Sequence, residues 1–132
     1  MTPEPTPQPI SEFKSKGGLR RIFSAFRYSM AGFVHAWKSE HAFRQELLVV
    51  FAAIVAACLL PVTMLERLWM ISVFVLVLIV ELINSAIEAV VDRISLEHHH
   101  LSKTAKDLGS AAVLLTLLLA GITWLIILWP HI

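Results

Sequence analysis

Between residues 19 and 38 the apolar side chains Leu19, Ile22, Phe23, Phe26, Met30, Phe33 and Trp37 recur mostly at steps of three and four. That spacing collects them on one stripe of an α-helix. Arg20, Arg21, Ser24, Arg27, His35 and Lys38 fall on the other side. An aromatic-rich face opposite a basic one predicts a surface helix over 19–38, lying in a membrane interface where cations meet anionic headgroups.

Three longer apolar stretches follow. Residues 47–60 are unbroken and with their flanks give a first span over 43–62, close to the roughly 20 residues that cross a hydrocarbon core. Residues 68–80 carry only Ser72 as a polar side chain, and the helical pattern continues through Glu81, Asn84 and Glu88, predicting a second span over 66–92. The third, 107–129, is interrupted only by Ser110, Thr116 and Thr123 once past Asp107, and ends at Trp129 before Pro130. A tight turn is expected over 61–66 and a longer polar loop over 93–106. Residues 1–16 hold Pro3, Pro5, Pro7 and Pro9 without an apolar h-region, so a disordered tail is expected rather than a cleavable signal. The expected fold class is therefore an all-α membrane protein of three transmembrane helices with an N-terminal amphipathic helix, residues 17–132 forming one domain.

Composition supports this class. The 132 residues are 57% hydrophobic with a mean hydropathy of +0.72, too apolar for an ordinary soluble domain. Of the 11 Lys and Arg residues, all but Arg67 lie within 14–44 or 93–106. Both blocks flank apolar runs, so a membrane surface explains them better than nucleic acid, and they place the N-terminus and the second loop in the cytoplasm. Trp69, Trp124 and Trp129 then mark the outer interface and Trp37 the inner. The single cysteine, Cys58, is expected as a small buried hydrophobe.

Chemistry concentrates in the second span. At 100° per residue Glu81, Glu88 and Asp92 fall within about 40° of one another and Asn84 about 60° away. One helix face thus carries three carboxylates and an amide. An acidic side chain near mid-bilayer costs about 2.5–3.5 kcal/mol on insertion scales, so such residues face a bundle interior and mark function. Glu40, His41, Arg44, Gln45 and Glu46 open the first span, and Lys103, Lys106, Asp107 and Ser110 the third. Carboxylates converging at a wet interface suit Mg²⁺, which also takes phosphate oxygens, while the lysines suit phosphate. No glycine-rich phosphate loop is present. Zinc binding by His98, His99 and His100 is disfavoured, because adjacent histidines point in different directions.

Three segments carry a resemblance: Ala42-Phe43-Arg44-Gln45-Glu46, then Glu81-x-x-Asn84-Ser85-Ala86-Ile87-Glu88-x-x-x-Asp92-Arg93, then Ala105-Lys106-Asp107-Leu108-Gly109-Ser110-Ala111-Ala112-Val113-Leu114. Together they resemble the prokaryotic diacylglycerol kinase family, homotrimeric enzymes of the bacterial inner membrane, over residues 20–129. The resemblance implies ATP- and Mg²⁺-dependent phosphorylation of diacylglycerol to phosphatidic acid at the cytoplasmic face. It implies Glu81 as general base and Glu40 and Glu88 as metal ligands. Arg21, Tyr28, Glu40, Glu88, Glu97, His99, Lys106 and Asp107 match nucleotide-site positions. Arg21, Ser29, Arg44, Gln45, Glu46, Glu81, Asn84 and Ser110 match positions beside the lipid. His98, His100 and the pair Lys103-Thr104 depart from the family pattern. Three alternatives stay open: undecaprenol as the lipid substrate, a small oligomeric cation or proton channel lined by Glu81 and Glu88, and a non-catalytic accessory subunit.

Overall fold

The computed structural model of the chain describes residues 17–94 and 97–132; the tail expected over 1–16 lies outside the described residues. Four helices follow in order, α1 (Gly18–Ser39), α2 (His41–Leu59), α3 (Met64–Ile94) and α4 (His100–Leu128), with a closing 3₁₀ turn at Trp129–His131. The chain divides into two units, Met1–His35 and Ala36–Ile132. In the first, α1 leaves Leu19, Ile22, Phe23, Phe26, Met30 and Phe33 exposed, and the Arg27 guanidinium lies over the Tyr28 ring at 5.9 Å.

In the second unit, α2, α3 and α4 are each long and apolar enough to cross a membrane. Helix α3 packs against both of the others, most extensively against α4. The buried positions explain why. On α2, Phe43, Val50, Ala53 and Ala57 are buried, and their spacing of seven, three and four makes a single stripe. On α3, Met70, Val73, Val77, Glu81 and Asn84 form another at steps of three and four. Val73, Val77 and Ala120 make the apolar core, against which Phe74 and Trp124 pack. Those two rings meet edge to face at 5.5 Å and 85°, and the Trp124 indole Nε1–H donates to the Met70 carbonyl at 3.1 Å. Outward-facing side chains such as Leu48, Phe51, Leu115 and Ile126 are exposed apolar groups, as expected where lipid replaces water as the outer solvent.

The 31 residues of α3 extend roughly 46 Å, well beyond the about 30 Å of a hydrocarbon core. Its buried stripe ends at Asn84, and its last turns run on beyond that stripe to Ile94.

Two expectations need correction. The polar loop expected over 93–106 is mostly helix: α3 runs to Ile94 and α4 already begins at His100. Hydropathy marks where lipid begins and not where hydrogen bonding does, and the added turns are stabilised locally. His99 Nδ1 accepts from the Leu101 backbone N–H at 3.2 Å, and Thr104 Oγ1 donates to the His100 carbonyl at 2.8 Å. Cys58, expected buried, is exposed, because the packed stripe of α2 passes through its neighbour Ala57.

At the opposite end, Thr63 and Glu66 cap α3 reciprocally. The Thr63 N–H donates to Glu66 Oε2 at 2.8 Å and the Glu66 N–H to Thr63 Oγ1 at 3.2 Å, a capping box. Arg67 then reaches back to the end of α2, its Nε–H donating to the Ala57 carbonyl at 2.8 Å.

Candidate active site

Burying a carboxyl among apolar helices is costly unless something nearby uses it. Glu81 is 5% exposed and Asn84 8%, and both continue the stripe begun by Met70, Val73 and Val77. Glu81 lies within electrostatic range of Glu88 and Glu40, and Glu46 within range of Glu81. Glu81 is thus the centre of a loose electrostatic cluster with Glu88 of α3, Glu46 of α2 and the α2 N-cap residue Glu40, wider than a metal cage among the described residues. Among the described residues Glu46 Oε2 and Asn84 Oδ1 are buried without a hydrogen-bond partner, two polar atoms left unsatisfied there.

Asn84 ties the cluster to α4. Its Nδ2 donates to Glu88 Oε1 at 3.2 Å, and its amide lies where a side chain on Gly109 would stand. Ser110, next along, points to the exposed side. One turn earlier on α4, Lys106 Nζ meets Asp92 Oδ1 at 2.6 Å and is within electrostatic range of Glu88. Lys103 Nζ pairs with Asp107 Oδ2 at 2.6 Å. A cavity of about 330 Å³ opens here, lined among others by Asp92, Glu97, His99, Lys103, Lys106 and Asp107. A volume of that order is at the small end of ligand pockets.

The elbow at Glu40 is fixed by Arg44. Glu40 is extended (φ −107, ψ 110) between two helices. The Arg44 guanidinium donates through Nη1 to the Trp37 carbonyl at 2.6 Å and the Lys38 carbonyl at 3.2 Å, and through Nη2 to His41 Nδ1 at 2.7 Å. These carbonyls end α1 and would otherwise lack partners.

The structure thus brings Glu40, Glu46, Glu81, Asn84 and Glu88 into one cluster. It brings Glu97, His99, Lys106 and Asp107 around one cavity beyond it. Arg21, Tyr28 and Ser29 lie on α1 in the N-terminal unit, where Ser29 Oγ donates to the Ala25 carbonyl at 3.0 Å. Gln45 is exposed on α2. Three features were not anticipated from sequence: the Asp92–Lys106 pair, the Arg44 clamp and the Gly109 contact. The only advance signal for the last is a glycine inside a helical pattern, which costs about 1 kcal/mol against alanine and so invites a packing reason.

Three helices long and apolar enough to cross a membrane, with carboxylates, an amide and lysines toward one end, have the organisation of a membrane protein. The family model of the prokaryotic diacylglycerol kinases matches residues 27–128, and the chain belongs to that family. It is 54% identical over 114 residues to the diacylglycerol kinase of Escherichia coli (strain K12), covering 86% of this chain and 93% of the relative. It is 54% identical over 118 residues to the diacylglycerol kinase of Pseudomonas aeruginosa, covering 89% and 96%. To the diacylglycerol kinase of Helicobacter pylori (strain 26695) it is 42% identical over 107 residues, covering 81% and 84%.

Proposed function

We propose that the chain transfers the γ-phosphoryl group of ATP to the primary hydroxyl of diacylglycerol, giving phosphatidic acid and ADP. The reading rests on one observation: a buried carboxyl, Glu81, lies on a membrane helix within electrostatic range of two further carboxylates, Glu88 and Glu40, in a chain of this family. A lipid alcohol anchored by its acyl chains reaches a group at that depth, whereas a water-soluble acceptor does not.

Glu81 acts as general base. It accepts the hydroxyl proton as the alcohol oxygen forms its bond to the γ-phosphorus and the bond from that phosphorus to the ADP oxygen breaks. Asn84, Glu46, Gln45 and Ser110 of the second unit would border the glycerol end of the lipid. Lys106, Asp107, Glu97 and His99, which line the cavity, would take the nucleotide side.

The donor set suits Mg²⁺. Among the described residues no group of three or more His, Cys, Asp and Glu is gathered as a ready metal cage. Mg²⁺ is ordinarily held by one or two carboxylates plus substrate phosphates. Glu40 and Glu88 supply such a pair, and Asn84 already orients Glu88. The ion would neutralise phosphate charge and align the transferring group. Orientation by Asn84 then matters because phosphoryl transfer depends on positioning more than on covalent help.

The same reading puts α1 in the cytoplasmic interface of the bacterial inner membrane, with a cytoplasmic N-terminus. It also makes the active form a homotrimer: three spans per chain are few for so many ionisable groups, and the exposed apolar faces of α2 and α4 are available for packing. The test is purified protein with labelled ATP, Mg²⁺ and either diacylglycerol or undecaprenol in mixed micelles. Labelled phosphatidic acid, lost in Glu81→Gln with ATP binding retained, is the expected result. Label on undecaprenol alone would reassign the substrate, and near wild-type turnover by Glu81→Gln would remove the base.

A further inference from the structure

We propose that Gly109 is a positioning residue for the Glu88 carboxylate and acts through Asn84. Helix α4 could carry alanine at 109 at no backbone cost, and alanine would be the better helix former by about 1 kcal/mol. What forbids it is the neighbour. A Cβ built on Gly109 would overlap Asn84 Oδ1 and stand 3.2 Å from Asn84 Cγ, whereas at Gly32 and Gly121, among the described residues, no atom beyond the local helix backbone lies within 4 Å.

The Asn84 amide cannot turn aside freely. Its Nδ2 donates to Glu88 Oε1 at 3.2 Å, and exchanging the amide ends would set a carbonyl oxygen against a carboxylate. Gly109 itself is buried on α4, and Asn84 on α3 is 8% exposed, so both helices are packed where the overlap would occur. Any side chain at 109 therefore moves the amide, and with it the hydrogen bond that aims Glu88. A partner that orients a metal-binding carboxylate typically governs about 10–100-fold in metal affinity or activity. This inference rests on Glu88 holding the divalent ion, as proposed above.

The experiment is Mn²⁺ titration followed by electron paramagnetic resonance, on full-length protein in detergent micelles with a non-hydrolysable ATP analogue. Gly109→Ala is expected to weaken Mn²⁺ binding about tenfold or more, as is Asn84→Ala, while Gly121→Ala on the same helix leaves it unchanged. In the Asn84→Ala background, Gly109→Ala should add less than about a twofold change, because the group it displaces is gone. Unchanged affinity in Gly109→Ala, an additive loss on top of Asn84→Ala, or an equal loss in Gly121→Ala would overturn the proposal. If Gly109→Ala does not fold, Asn84→Ser with Gly109→Ala decides: recovery of folding supports the overlap, and continued failure refutes it. Glu88→Gln separates the two levels. Wild-type affinity in that variant removes the metal assignment, whereas loss there with none in Gly109→Ala removes only the role of Gly109.

Discussion

Lys106 on α4 and Asp92 on α3 form a 2.6 Å ion pair that closes one wall of the cavity beyond the carboxylate cluster. Their side chains are 41% and 55% exposed, so solvent screens the pair and it contributes little to stability. Its significance is positional, since it holds an ammonium where the proposed phosphates would lie. Lys106→Ala should raise KM for ATP about tenfold or more, the scale of a lost hydrogen bond to a charged group. Asp92→Asn should raise it only a few-fold, because the ammonium remains. Thermal unfolding in detergent should move little in either. Equal kinetic damage from both variants would mean that Asp92 itself meets the substrate.

Arg44 is expected to act on Glu40 and not on lipid charge. A lysine keeps the charge, but one ammonium cannot reproduce the fork that spans the Trp37 and Lys38 carbonyls and His41. Arg44→Lys and Arg44→Ala should therefore both lower kcat about tenfold, in line with the cost of loosening a group that orients a ligand, with KM for diacylglycerol unchanged. Steady-state kinetics with lipid varied at fixed ATP checks this. A raised lipid KM rescued by lysine would assign Arg44 to the substrate instead.

Glu81 and Asn84 were legible in the sequence because a charge or amide within an apolar helix has few physical reasons to be there, and helical spacing alone fixes that both share a face. Glu88 and Asp92 belong to the same expected face, of which Glu88 meets Asn84 while Asp92, its side chain 55% exposed, turns to Lys106. The start of α4 was not legible, since Lys103, Thr104 and Lys106 are polar and hydropathy cannot distinguish a helical turn above the membrane from a loop. The Gly109 contact and the Arg44 clamp depend on which helix lies against which, information held in tertiary packing and not in any one segment. Cys58 failed for the same reason: a position one residue off the packed stripe of α2 faces outward, however apolar its neighbours.

The turn between α2 and α3 should govern stability without touching catalysis. Thr63 and Glu66 satisfy each other's backbone N–H groups. Thr63→Ala removes one half of that exchange and should cost about 1 kcal/mol, the usual worth of an N-cap hydroxyl. Thermal denaturation in mild detergent should register the loss while kcat per folded protein stays at the wild-type value. A kinetic defect at unchanged stability would show that this end of the bundle communicates with the carboxylates.

Trp124 joins α4 to α3 by a hydrogen bond through its indole. Trp124 donates to the Met70 carbonyl at 3.1 Å while its ring meets Phe74 edge to face. Phenylalanine at 124 keeps an aromatic ring but has no donor. Interhelical hydrogen bonds in membrane proteins are worth about 0.6 kcal/mol on average, so Trp124→Phe should lower stability by roughly that amount. Trp124→Ala also empties the space beside Val73, Val77 and Ala120, and should cost about 3–5 kcal/mol. Reversible unfolding in micelles measures both. If the phenylalanine variant were as unstable as the alanine one, the hydrogen bond and not the packed ring would be what joins the two helices.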